Sequence, residues 1–452
     1  MPGIDERYES IVIGLGKTGQ SIVDYYTSTG RSLLAMDSGM SKEQAELIRQ
    51  KYPDLPLSLG EFDEGLLTSA KEILVSPGVP LSTPAIQSAL AKGVRVTSDV
   101  EIFCQEISSP VLAVTGSNGK STVVTLLAKM IEDAGYTVAL AGNIGLPVLQ
   151  LLGGDEPDFY VLELSSFQLE NLQSLNAKAA VVLNVSEDHM DRYASFEDYR
   201  KAKQQVYRGD GTMIINLDDA SVCDMLEKDR QVAGFTLSRP GEEGLGIVEE
   251  DKHRYICLGS EKLLDVSSLH VKGAHNIANC LAALAMGRVT GIPMSSMLAT
   301  LKNFKGLPHR CQWVAKVDGV DWYNDSKGTN VGATCAAIKG LEGPGDMVLI
   351  AGGDGKGADF SGLKQAVQAG VRAAVLIGRD ARNLEKVLSG VCQCFFALDM
   401  KSAVQTAAEI SRAGDRVLLS PACASQDMFR DYQHRGEEFI SAVNSLEGNA
   451  DA

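Results

Sequence analysis

Short apolar runs recur along the chain, and each ends in a small or polar residue. They include Ile11-Val12-Ile13-Gly14, Val161-Leu162-Glu163, Val181-Val182-Leu183-Asn184 and Met213-Ile214-Ile215-Asn216, with others at 111–116, 348–352, 375–378 and 417–420. These runs are apolar at every position rather than at alternate ones. That pattern predicts parallel strands covered on both faces, with functional loops at their C-terminal ends. Helical stretches such as 122–134 and 276–286 separate them. Alternating strands and helices predict an α/β protein with doubly wound sheets.

Glycine turns and breaks in the pattern divide the chain into three domains, 1–98, 99–305 and 306–452. The expected fold is a Rossmann-like N-terminal domain, a central P-loop ATPase-like domain and a Rossmann-like C-terminal domain. The stretch 229–269 is polar with short β-like runs, and reads as an excursion of the central domain.

Composition narrows the field. Of 452 residues, 44% are hydrophobic and 22% charged, as in ordinary globular protein. The net charge of −16 works against non-specific nucleic-acid or anionic-membrane binding. No apolar run reaches the roughly 20 residues that cross a bilayer, and Met1 to Ser10 hold no signal-peptide core. The nine cysteines are odd in number and scattered, with no Cys-x-x-Cys pair. They read as reduced, core-filling thiols of a cytoplasmic enzyme.

The strongest motif is Thr115-Gly116-Ser117-Asn118-Gly119-Lys120-Ser121-Thr122, between an apolar run and a helical stretch. Glycines let the backbone turn so that consecutive N–H groups and the helix N-terminus face an anion. Lys120 then reaches the β/γ-phosphates of ATP, and the Ser121 hydroxyl reaches Mg²⁺. Val114 stands where the usual Walker spacing has glycine, so the loop is a shortened variant. Glu163 ends a neighbouring strand, where a carboxylate is placed to hold Mg²⁺.

A second glycine turn, Gly14-Leu15-Gly16-Lys17-Thr18-Gly19, is followed 18 residues later by Asp37. Alone, it reads as the fingerprint of an NAD-dependent dehydrogenase. A nicotinamide enzyme has no need of a second, kinase-like phosphate loop.

The shortened phosphate loop resembles that of the Mur ligase and folylpolyglutamate synthase superfamily. Further segments extend the resemblance to the Mur ligases over nearly the whole chain: 184–192 with His189, Tyr199-Arg200-Lys201-Ala202-Lys203, 272–279 with Asn276, Leu307-Pro308-His309-Arg310, and 323–330 with Asp325 and Lys327. The stretches 351–360 and 419–429, followed by Arg435-Gly436, look like the family's D-glutamate-adding branch.

The resemblance implies an ATP-dependent amide ligase of peptidoglycan synthesis that works through an acyl phosphate. Its substrates would be UDP-N-acetylmuramoyl-L-alanine, D-glutamate and ATP. ATP would lie against Gly116, Ser117, Asn118, Gly119, Lys120, Ser121, Thr122, Asn276, Arg310 and Asp325. Arg310 suits phosphoryl oxygens because its donors form a fork. Two Mg²⁺ ions would take Ser121, Glu163, His189 and Lys203, the last as a carbamate, with Lys201 as the alternative. Lys120, His189, Lys203 and Lys327 would carry catalysis.

The UDP substrate would meet Lys17, Thr18, Ser38, Gly78, Asn143, Ser165, Gln168 and His189. D-glutamate would meet Thr329, Lys356, Ser425 and Tyr432. Tyr432 stands where the family has Phe, and Gly39 where it has an arginine beside the uracil. The resemblance further implies a monomer. Other readings of the same residues are a sister ligase that adds a different amino acid, a folylpolyglutamate-type enzyme, and a non-catalytic nucleotide-binding regulator.

Overall fold

The computed structural model describes residues 8–190, 192–271, 273–341 and 345–447. Asp191 and Lys272, which belong to two motifs quoted above, lie outside the described residues.

The N-terminal domain is a five-stranded parallel sheet in the order Leu57–Leu59, Leu33–Asp37, Ser10–Ile13, Glu72–Val75, Arg95–Thr97. Chain order reverses between Ser10–Ile13 and Glu72–Val75, which opens a crevice past their carboxyl ends. The loops 14–16 and 76–79 meet there, tied by a 2.6 Å hydrogen bond from Ser76 Oγ to the Gly14 carbonyl. Gly19 is required by packing: a Cβ there would lie 1.8 Å from the Gly14 oxygen.

The central sheet has nine strands. Val111–Thr115 lies third from one edge, parallel to Phe159–Glu163 on one side and Ala179–Val182 on the other. All three strands are buried throughout, as the unbroken apolar runs predict. Their carboxyl ends deliver the phosphate loop, Glu163 and the 184–192 loop to one edge. Thr212–Asn216 and Val232–Phe235 continue the parallel part beyond Ala179–Val182. The stretch 229–269 then becomes an antiparallel meander, Leu245–Glu250, His253–Leu258 and Glu261–Asp265. Asp251 and Lys252, both at positive φ, form its first tight turn.

The C-terminal sheet has six strands. Gln312–Val317 and Val320–Asn324 form a hairpin, followed across the sheet by Arg416–Leu419, Met347–Gly352, Val371–Ile377 and Gln393–Phe396, all parallel to Val320–Asn324. Its functional loops, 325–330, 353–357 and 420–425, also follow carboxyl ends.

One apolar cluster joins the first two domains, from Val12, Ile22 and Tyr26 through Phe103 to Tyr160, Leu162 and Val182. No apolar cluster of the described residues includes both central and C-terminal side chains. Among the described residues, no helix is long and apolar enough to cross a membrane. The nine cysteines are free, but only Cys257, Cys280 and Cys423 are buried. The other six are partly buried and pack against the apolar clusters, as small core-filling thiols would.

Candidate active site

The phosphate loop is held open from behind. Gly119 caps the helix Lys120–Asp133 at φ +88°, a left-handed conformation that favours glycine. Ser117 is buried; its N–H donates to the Asn184 carbonyl, and its Oγ donates to the Ser186 carbonyl and lies 3.1 Å from the Tyr199 hydroxyl. Asn118 N–H donates to Asn184 Oδ1 at 2.8 Å, and Asn184 Nδ2 donates back to the Asn118 carbonyl at 3.1 Å. The Ser117 side chain therefore helps to shape the loop.

Three lysines crowd this edge. Lys120 Nζ donates to the carbonyls of Gly116 and Ser117. Burial lowers its pKa, Glu163 and Asp188 oppose that shift, and Arg310 adds to it. Lys203 is only 2% exposed, and its Nζ donates to the Gly116 carbonyl at 3.0 Å. Burial, with the neighbouring charge of Lys120, pushes its pKa well below the usual value. Lys327 lies over the Tyr432 ring at 3.8 Å. Burial and the charge of Arg310 lower its pKa to about 8.

The carboxylates answer them. Glu163 is buried; Oε1 accepts from Asn143 Nδ2 at 2.8 Å, and Oε2 has no hydrogen-bond partner among the described residues. Asp188 Oδ2 accepts from Asn330 Nδ2 at 3.1 Å, and Oδ1 lies 3.7 Å from Lys356 Nζ. Burial raises the Asp188 pKa, but His189, Lys356, Asn330 and Lys120 together hold it below the usual range. Asp325 is buried on hydrogen bonds from Ser420 Oγ and Cys311 N–H. Burial raises its pKa to about 6. His189 adopts φ +57° and packs edge-on against Phe167 at 4.8 Å.

Three cavities open beside these groups. One of about 210 Å³ lies between the central and C-terminal domains, lined by Asn118, Gly119, Thr122, Asn276, Arg310, Asp325 and Lys327. Arg310 crosses this cleft to donate to Ser121 Oγ at 3.0 Å. A second, of about 740 Å³, is lined by Lys17, Thr18, Gly78, Asn143, Ser165, Gln168, Lys327 and Tyr432. A third, of about 490 Å³, is lined by Asp188, His189, Thr329, Asn330 and Lys356. Lys327 borders the first two.

Most of the residues picked from the sequence thus gather around these cavities, with exceptions. Ser38 and Ser425 line none of the three, nor do Gly116, Ser117, Lys120, Ser121, Glu163 and Lys203, and Ser425 is buried. Tyr432 faces the second cavity, apart from Thr329 and Lys356 in the third. Asp37 Oδ2 accepts from Leu15 N–H and Oδ1 from Gly39 N–H, so its carboxylate braces the glycine turn. Asp188 and Asn330 sit inside quoted motifs, but no spacing rule marks them as contacts across the domains. Arg435 is fully buried and fixes the Lys327 loop, donating to Ser326 Oγ, the Ser326 carbonyl and the Cys423 carbonyl.

Among known families, the Mur ligase MurD-like N-terminal domain matches residues 8–98, the Mur ligase middle domain 114–287, and the Mur ligase glutamate ligase domain 309–423. UDP-N-acetylmuramoylalanine–D-glutamate ligase of Nitrosococcus oceani is 48% identical over 437 residues, 97% of this chain and 96% of that protein. The protein of the same name from Marinobacter nauticus is 47% identical over 97% of this chain and 98% of its own. That of Pseudomonas aeruginosa is 46% identical over 96% and 98%. Among solved structures, MurF from Acinetobacter baumannii superposes with a TM-score of 0.62 at 15% identity, covering 97% of this chain and 91% of that one. A pseudomurein peptide ligase type C from Methanothermus fervidus gives 0.61 at 16%, covering 98% and 100%. The three domains, in this order and around this phosphate loop, make the chain a member of the Mur ligase family.

Proposed function

We propose that this protein joins D-glutamate to UDP-N-acetylmuramoyl-L-alanine at the expense of ATP, as the names of its full-length relatives state for them. The observation that carries the reading is the place of Lys327, which borders both the cleft beside the phosphate loop and the cleft beside the N-terminal glycine turn. A phosphoryl group leaving one cleft meets a carboxylate lying in the other at this residue. The match of residues 8–98 to a MurD-like N-terminal domain argues against a folylpolyglutamate-type enzyme.

In the first step the L-alanyl carboxylate attacks the γ-phosphorus, the bond to the β-phosphate oxygen breaks, and ADP leaves. Lys120, Arg310 and Lys327 offset the charge on the transferring group. The neutral amine of D-glutamate then attacks the acyl phosphate, the amide forms, and phosphate and a proton depart. Lys356 and Thr329 hold the amino-acid carboxylates in the third cavity. Ser425 and Tyr432, expected with them, stand elsewhere in the structure, so the reading relies on the first pair.

The donor set suits Mg²⁺, which binds through one or two carboxylates together with substrate phosphates. Glu163 Oε2, buried without a hydrogen-bond partner among the described residues, and Ser121 would hold one ion, and His189 would support a second. When bound, the ions neutralise phosphate charge. Lys203 enters as a carbamate in this reading: burial lowers the pKa of its amine, which favours the neutral form that adds CO₂ and releases a proton. The reading includes a cytoplasmic monomer with domains 1–98, 99–305 and 306–452.

The test is phosphate release with UDP-N-acetylmuramoyl-L-alanine and D-glutamate, L-glutamate or no amino acid. Release that requires both the UDP substrate and D-glutamate is the expected result. Turnover only with another acceptor or amino acid would replace the substrate assignment.

A further inference from the structure

The turn that carries His189 is tied to the N-terminal domain by one side chain. Arg192 N–H donates to the His189 carbonyl at 2.9 Å, closing that turn. Its guanidinium then reaches out of the central domain. Nη1 donates to the Pro77 carbonyl at 2.7 Å, and Nη2 lies 3.5 Å from the Val79 carbonyl. Nη2 also pairs with Glu170 Oε2 at 3.1 Å. The same group lies 4.1 Å above the Phe167 ring, and Phe167 packs edge-on against His189. Tyr193, next along the chain, donates to the other Glu170 oxygen at 2.6 Å. The Arg192 side chain is 11% exposed and that of Glu170 is 18%.

Two features set this group apart from an ordinary surface ion pair. The carbonyls it holds flank Gly78, and Pro77, Gly78, Val79 and Phe167 all line the second cavity. A planar fork can hold carbonyls and a carboxylate and still stack on a ring; an ammonium cannot do all of these at once.

We propose that Arg192 is a positioning residue, which fixes the 76–79 loop against the UDP-substrate cleft and couples that loop to the His189 turn through Phe167. This rests on the function proposed above for the cleft, but the coupling of loop and turn is a property of the free protein. Hydrogen bonds from a charged donor to a sheltered carbonyl are strong enough for their loss to be read as about a tenfold change.

The experiment compares R192M and R192K with the wild type in two readouts. In hydrogen exchange without ligand, the Gly78 and Val79 amides should exchange about tenfold faster in R192M, and those of Asn118 and Ser121 at the wild-type rate. In turnover, the KM for the UDP substrate should rise about tenfold, and the KM for ATP should stay within about twofold. R192K, which keeps the charge without the fork, should fall between. It carries the same comparison if R192M does not fold. Unchanged exchange at Gly78 and Val79 would overturn the proposal, as would equal rises in both KM values. If the wild type does not turn over the UDP substrate, the functional reading fails, and the exchange rates decide the positioning role alone.

Discussion

Lys327 must be charged to stabilise a phosphoryl group, yet burial and nearby cations lower its pKa to about 8. Bound polyphosphate favours the charged form, so it raises that pKa. ATP should therefore bind with uptake of a proton around pH 8, and its affinity should fall as pH rises through that value. Calorimetry in two buffers of different ionisation enthalpy measures the uptake, and K327M should abolish it. The sign for stability is opposite. The unfolded lysine titrates near the ordinary value of 10.5, so between about pH 8 and that value the unfolded state binds more protons. The contribution of this group to stability rises across that window. A wild-type enzyme that binds ATP with no proton exchange near pH 8 would contradict the assignment of Lys327 to the phosphoryl site.

At the scale of elements, two glycines of one helix separate backbone conformation from close approach. Gly119 and Gly135, at its two ends, have φ +88° and +90°. A Cβ on Gly135 meets nothing within 4 Å, whereas one on Gly119 would lie 2.4 Å from Asn279 Oδ1. Gly135→Ala should cost about 1 kcal/mol, the penalty of a left-handed alanine, with an unchanged KM for ATP. Gly119→Ala should cost about 2 kcal/mol or more and raise the KM for ATP at least tenfold, because Asn279 and the loop must both move. Chemical denaturation and steady-state kinetics on the two variants check the difference.

The same elements show what the sequence made legible. The phosphate loop could be read because glycine, lysine and serine act through local backbone geometry, and the strands could be read because burial on both faces leaves unbroken apolar runs. The meander at 245–265 was harder, since its edge strands alternate weakly and its turn uses Asp251-Lys252 rather than glycine. The roles of Asp188, Asn330 and Arg192 depend on partners far along the chain or across a domain boundary, such as the 142-residue span from Asp188 to Asn330 and the 115-residue span from Pro77 to Arg192. No periodicity encodes that.

For the whole molecule, the way the domains are joined decides what can move. The first two share a continuous apolar cluster, so parting them exposes core. The third meets the central domain through polar contacts that include Arg310 with Ser121, Asn118 with Asn330, and Asp188 with Asn330 and Lys356. Polar contacts can be exchanged for water at small net cost, so this is the boundary at which a closing motion belongs. Asp188 is its central anion, serving two partners on the C-terminal domain. Asp188→Ala should shift the ligand-free protein towards an open arrangement, with a larger radius of gyration in small-angle scattering. The loss of one partly sheltered ion pair and one charged hydrogen bond is worth about 1–3 kcal/mol, enough to change the open fraction severalfold or more. A non-hydrolysable ATP analogue, which bridges the same boundary through Lys120 and Arg310, should restore the compact form. If Asp188→Ala scatters like the wild type, then the hydrogen bonds of Arg310 and Asn118 hold the domains without it, and the closed state does not depend on the pairing of Asp188 with Lys356.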